Sequence, residues 1–173
     1  MDLRIRYWCR QLPAVGPDGT LYVGIDGPAG RVLALVDNGT ATPTVKWSFS
    51  SSGSGSVLSS PALGADGTVY ISIDGDGIYA LVDNGTTTPT VKWSLLTGRA
   101  GPASPVVAPD GTVYVGSYGG PGPFYALIDN GTATPTVKWS LAAQGIFGSA
   151  AIGPDGTVYV GSYGDYTLKA FGP

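Results

Sequence analysis

The chain contains no histidine and no glutamate; all 12 of its acidic residues are aspartates. Without histidine there is no imidazole base, no imidazole metal ligand and no Ser-His-Asp triad. The many serines have no partner to activate them. Cys9 is the only cysteine, so it forms no intrachain disulfide and reads as a structural or incidental thiol. No apolar run approaches the roughly 20 residues that span a bilayer, and no apolar stretch follows Met1-Asp2-Leu3-Arg4-Ile5-Arg6 as a secretory signal would require. Nine basic residues against 12 acidic ones give a net charge of −3, with the basic residues scattered, so neither nucleic acid nor membrane is an expected partner. Lack of glutamate also removes a good helix former, whereas aspartate belongs in turns and caps.

What the chain does have is glycine, proline and strand-forming side chains in a fixed order. One phrase occurs four times, as Pro17-Asp18-Gly19-Thr20-Leu21-Tyr22-Val23-Gly24 and again from Ala65, Pro109 and Pro154, with glycine offsets of 48, 44 and 45 residues. A second phrase occurs three times, from Ala34, Ala80 and Ala126, and ends each time in Lys-Trp-Ser. Repeats of about 40–50 residues are the signature of four-stranded propeller blades. The second unit divides into strand A at 57–63, strand B at 68–72, strand C at 78–82 and strand D at 90–95. Asp-Gly corners join A to B, and Asp83-Asn84-Gly85-Thr86 joins C to D. Strands B and C are apolar on both faces, so both faces are covered. Strand D alternates, with Val45, Trp47 and Phe49 opposed to Thr44, Lys46 and Ser48, which places it near the rim. The expected fold is an all-β propeller of four-stranded antiparallel blades, four to the chain, over a single domain or half-ring at 1–173.

The ends are complementary. Segment 4–9 reads as a spare strand D, and the fourth unit stops at strand C, so the N-terminal strand is expected to complete the last blade. Two closures stay open: a four-bladed ring from one chain, or an eight-bladed homodimer closed by strand exchange. The second is preferred, because flat two-sided blades stack more easily at a small angle and a lone half-ring exposes apolar surface.

Ser59-Ser60-Pro61-Ala62, the Asp-Gly-Thr-Val-Tyr-Val-Gly phrase and the run from Ala80 through Asp83 to Trp93 make the chain resemble the PQQ-like repeats of the quinoprotein alcohol dehydrogenase-like propellers. That resemblance implies a tryptophan-docking girdle built from Trp8, Trp47, Trp93 and Trp139. It also implies an extracytoplasmic setting. The family's quinone- and calcium-binding enzymes use a glutamate, an aspartate base and often a cysteine pair. None of those positions carries over, so a non-catalytic member with no cofactor is expected.

Seven aspartates sit in the repeated corners: Asp18, Asp66, Asp110, Asp155, Asp37, Asp83 and Asp129. There they read as turn residues, and the three Asn-Gly-Thr sequons read as turns with them. Asp26, Asp74, Asp76 and Asp165 fall in B–C loops. These loops share one face of the propeller with the D–A linkers, and that face carries 50–56, Arg99, Tyr118, Phe147 and Tyr163. Asp74 and Asp76 form too small an acidic set for calcium. Variable loops on a rigid scaffold are where binding sits, and this face is expected to take a glycan, peptide or protein ligand. A quinone- or metal-dependent oxidoreductase fragment, and a ligand-free scaffold made by duplicating one blade, are the alternatives.

Overall fold

The computed structural model describes residues 11–26, 30–51, 55–97, 101, 103–117, 122–142, 145–146 and 148–172. Segment 4–9, with Trp8 and Cys9, lies outside these residues. The described strands are β1 (Ala14–Val15), β2 (Leu21–Ile25), β3 (Arg31–Val36), β4 (Thr44–Ser50), β5 (Ala62–Leu63), β6 (Val69–Ile73), β7 (Gly77–Val82), β8 (Thr90–Leu96), β9 (Val106–Val107), β10 (Val113–Gly116), β11 (Pro123–Ile128), β12 (Thr136–Ala142), β13 (Ala151–Ile152), β14 (Val158–Ser162) and β15 (Thr167–Phe171). They form four antiparallel meanders in chain order, three of four strands and a last one of three. We number these blades 1 to 4.

The corners explain why the meanders form. At each A–B corner a glycine takes a φ of 82° or 83° (Gly19, Gly67, Gly111, Gly156), a region closed to most side chains. Asp18 accepts hydrogen bonds from the Thr20 amide at 3.0 Å and the Thr20 hydroxyl at 2.8 Å, and the other corners repeat the pattern. At the C–D corners Asp37 accepts from the Gly39 amide and Asn38 from the Thr40 amide. The aspartates and the Asn-Gly-Thr triplets are therefore turn-forming residues, as read from the sequence.

The blades pack face on face. Tyr22, Val32, Ala34, Trp47 and Phe49 of blade 1 meet Val69, Ile71, Ile73, Tyr79 and Leu81 of blade 2. Tyr70, Ile78, Ala80 and Trp93 then meet Val113, Val115 and Leu127 of blade 3. Tyr114, Phe124 and Ala126, with Trp139, meet Val158, Val160 and Phe171 of blade 4. Blades 1 to 3 therefore each have a forward face carrying a Tyr–Trp pair, and blades 2 to 4 each have a back face rich in Val, Ile or Leu. Every residue of β6 is buried, because blade 2 has a neighbour on both sides.

Strand D departs from simple alternation. A bulge falls between Ala34 and Leu35, between Ala80 and Leu81, and between Ala126 and Leu127, so Ala34 pairs with Trp47 while Leu35 pairs with Val45. One extra residue shifts the phase of the strand. Trp47 and Phe49 are buried as expected, but Val45 is 52% exposed and does not share their face. Strand A is also shorter than expected. It is only Ala62–Leu63 in blade 2, and Val57 lies before it in the linker, fully buried. A Cβ placed on Gly24 would come within 2.5 Å of Val57 Cγ1, so the strand-B glycine is the seat for that linker side chain.

Ile71→Ala removes a fully buried side chain between two blades, and we expect it to cost about 2–5 kcal/mol in chemical denaturation. Val45→Ala, at the position the bulge turns outward, is expected to change stability by no more than about 0.5 kcal/mol.

Candidate functional site

Antiparallel meanders place all B–C turns and D–A linkers at one end of the blades and all A–B and C–D corners at the other. At the first end, the linkers stitch neighbouring turns together by backbone hydrogen bonds. Gly55 accepts from the Gly30 amide of blade 1 at 3.2 Å, and Ser56 accepts from the Asp74 amide of blade 2 at 3.0 Å. Between blades 3 and 4 the linker repeats the device: the Ile146 amide donates to Ser117 at 3.2 Å and Gly145 accepts from the Tyr163 amide at 2.9 Å. Nearer the axis, the Leu12 amide donates to Ser60 Oγ at 2.9 Å and the Ser60 amide to Ser104 Oγ at 2.8 Å. The Gln11 side-chain amide reaches the Val57 carbonyl. The loop face is thus held by main-chain bonds as well as by the sheets beneath it.

Among the expected binding residues, Arg99, Tyr118 and Phe147 lie outside the described residues. Asp26 is half-buried at the end of β2. Asp74 and Asp76 flank Gly75 in the tight B–C turn of blade 2, and Asp76 accepts from the Tyr79 hydroxyl at 2.7 Å. Burial, and then Asp76, push the Tyr79 phenol well above its usual range. Asp165 accepts from Lys169 Nζ at 2.6 Å and from the Thr167 hydroxyl at 2.8 Å. The Lys169 ammonium above all holds its carboxyl far below the usual range. Asp76 and Asp165 thus each take part in the hydrogen bonding of their own turns. Asp26, the pair Asp74 and Asp76, and the pair Tyr163 and Asp165 belong to the turns of three different blades.

The blade 4 turn adds a residue that sequence reading passed over. Tyr166 is 83% exposed, has a φ of 53°, and its ring stands 5.7 Å from that of Tyr163, itself 60% exposed. A bulky residue in the left-handed region costs roughly 1–2 kcal/mol. Such strain concentrates where a side chain is held for use.

The other end holds a repeated ion relay. Lys46 on β4 meets Asp18 of its own blade at 3.2 Å and Asp83 of the next blade at 2.7 Å. Lys92 on β8 meets Asp66 at 2.9 Å and Asp129 at 2.8 Å in the same way, and the Tyr70 hydroxyl donates to Asp129 at 3.2 Å. The bulge is the cause, because the phase shift beside Lys46 and Lys92 lets lysine and tryptophan both reach the following blade. Burial pulls Asp66 upward, but the Lys92 ammonium and the Thr68 N–H and O–H overcome it and bring its pKa down to about 2. Among the described residues Lys138 meets Asp110 alone, at 3.6 Å. Among the described residues a cleft of about 580 Å³ opens at this end between blades 2 and 3, and one of about 650 Å³ between blades 3 and 4. In the first, Lys92, Asp66, Asp129 and Tyr70 satisfy one another, so it offers a ligand little unpaired polarity. Among the described residues no cluster of three or more Cys, Asp or other ligating side chains is placed to hold a metal ion.

Face-packed four-stranded meanders following one another in chain order define a β-propeller. The chain belongs to the family described as the lipoprotein LpqB beta-propeller domain, whose sequence model matches residues 10–120. Among solved structures it is similar to BamB from Moraxella catarrhalis (20% identity, 95% of this chain and 46% of that one, TM-score 0.70) and to the Dos1 propeller (16% identity, 93% and 44%, TM-score 0.65). It is also similar to the PQQ-bound form of aldose sugar dehydrogenase from Streptomyces coelicolor (19% identity, 93% and 59%, TM-score 0.55). The chain spans less than two thirds of the length of each. At these identities the likeness concerns the fold alone. No curated protein matches the chain.

Lys92→Met leaves Asp129, whose side chain is 9% exposed, without its cation, and we expect a loss of about 1–3 kcal/mol. Lys138→Met, which loses an ion pair to an Asp110 side chain that is 59% exposed, is expected to change stability by less than about 0.5 kcal/mol. A carboxyl held below its ordinary value stabilises the fold above that value and loses the contribution as acid titrates the folded form. The relay is therefore expected to weaken as pH falls from 3.8 toward about 2. Thermal melts across that range should show a smaller pH dependence for Lys92→Met.

Proposed function

We propose that this chain is a non-catalytic propeller module that works as part of a closed ring in an extracytoplasmic setting. Its B–C and D–A loop face takes a polypeptide or glycan. The observation that carries the reading is the exposed Tyr163–Tyr166 pair, with Tyr166 at a left-handed φ, on a loop face stitched by main-chain hydrogen bonds. Tyrosines supply large, rigid contact area at low conformational cost and pair readily with sugars and peptide groups. Asp26, Asp74, Asp76, Arg99, Tyr118, Phe147 and Asp165 are proposed to border that contact. At the other end of the blades, Trp47, Trp93 and Trp139 are proposed to lock adjacent blades, each against the tyrosine of its own forward face at 5.6–5.7 Å. The family description as a lipoprotein domain supports the extracytoplasmic setting.

The absence of glutamate and histidine from the sequence argues against a transplanted dehydrogenase centre, and the likeness to a PQQ-bound enzyme is one of fold. Glycan and peptide arrays, followed by titration of the best ligand, test the reading. Tyr163→Ala and Tyr166→Ala are each expected to weaken binding at least about tenfold without lowering the melting temperature. Saturable uptake of quinone and calcium in equilibrium dialysis would contradict it, as would arrays without a hit.

A further inference from the structure

The forward face of blade 4 is bare. Tyr159 and Leu168 are 39% and 75% exposed, and Ala170 is exposed with them. At the same register the forward faces of the other blades are closed. Tyr22, Val32 and Ala34 are 5%, 0% and 0% exposed, Tyr70, Ile78 and Ala80 are 3%, 0% and 0%, and Tyr114, Phe124 and Ala126 are 8%, 1% and 0%. The strand-B glycines agree. A Cβ on Gly116 would lie 2.4 Å from Ile146, the linker side chain of the next blade, whereas around Gly161 nothing stands within 4 Å.

The opposite end of the arc carries the matching half. The back face of blade 1 presents Leu21, Val23, Ile25, Leu33 and Leu35, in register with Val69, Ile71, Ile73, Tyr79 and Leu81, which cover blade 1 from blade 2. Leu21, Val23 and Leu33 are only half-buried, where Val69, Ile71 and Tyr79 are buried. Asp37 stands in register with Asp83 and Asp129, each of which takes the lysine of the preceding blade. Asp37 itself is exposed, and no lysine among the described residues bridges to it. Blade 1 is thus equipped to receive a blade before it, and blade 4 to receive one after it.

We infer that the occupant of the blade 4 face is blade 1 of a second copy of this chain, and that two copies close reciprocally into one eight-bladed ring. The inference rests on the reading of the chain as part of a closed ring, and names the partner. The contact continues an apolar interface the chain already makes three times, with tyrosine and alanine again paired across strands B and C and a large apolar side chain beside them. A head-to-tail contact of this kind makes a closed ring when its rotation closes and an open filament when it does not. Closure at two copies also doubles the tyrosine-bearing loop face and presents it with two-fold symmetry.

Native mass spectrometry and light scattering of the 173-residue chain test the inference without any ligand. A mass of two chains is expected, against 17.5 kDa for one. Leu168→Asp places a charge on a side chain that is already exposed in the single chain, so the variant is expected to stay folded by circular dichroism and to run at the mass of one chain. Tyr163→Ala, on the loop face, is expected to keep the mass of two. A single-chain mass for the unaltered protein at micromolar concentration overturns the inference, as does a ladder of higher masses. A two-chain mass that survives Leu168→Asp does so as well. Ligand binding by a protein that stays single would leave the loop-face reading standing and this one refuted, and a two-chain ring that binds nothing would do the reverse.

Discussion

Every sheet described in this molecule has two apolar faces, and at each of the three blade contacts another sheet of the same kind covers them. Blade 2 shows the constraint satisfied, with Val69, Ile71 and Ile73 against blade 1 and Tyr70, Ile78 and Trp93 against blade 3. Blade 4 shows it half satisfied. Its back face is closed by blade 3, while Tyr159 and Leu168 meet solvent. Since burial of apolar area is the main stabilising term, the stability of any one blade depends on what stands beside it. Repeat proteins in general behave this way.

Apolar cover alone does not set how one blade sits on the next, because it has no direction. Three local devices supply it. Glycines at the end of strand B seat a linker side chain, as Gly24 seats Val57 and Gly116 seats Ile146. A bulge in the C–D pairing lets lysine and tryptophan reach the same neighbour. The lysine then bridges two aspartates belonging to successive blades. Each contributes modestly, but each is satisfied at one register only.

The blade, its four strands and its corners were legible from local pattern. Asp-Gly-Thr and Asp-Asn-Gly-Thr announce turns by their own hydrogen bonding, and runs such as Ile-Tyr-Ala-Leu-Val announce strands covered on both sides. What escaped were relations between blades. Asp83 and Asp129 read as turn residues and are so, yet each also holds the lysine of the preceding blade, a pairing no local window contains. Val45 was expected inside, because strict alternation cannot anticipate an extra residue in the strand. On the candidate site, the B–C turns of blades 2 and 4 lie where the local pattern places them. Asp76 and Asp165 also accept hydrogen bonds within their own turns, which the local pattern did not announce, and Tyr166 was overlooked because nothing in its neighbours signals a left-handed tyrosine.

The central claim is that neighbouring sheets supply one another's stability, and hydrogen exchange resolved by strand tests it most directly. For the dilute single chain, the amides of β6 and β7 should exchange slowest and those of β14 and β15 fastest, with the difference shrinking as concentration rises and blade 4 gains its cover. Exchange that is fast in β6 and slow in β14, or a pattern that concentration leaves unchanged, would contradict the account.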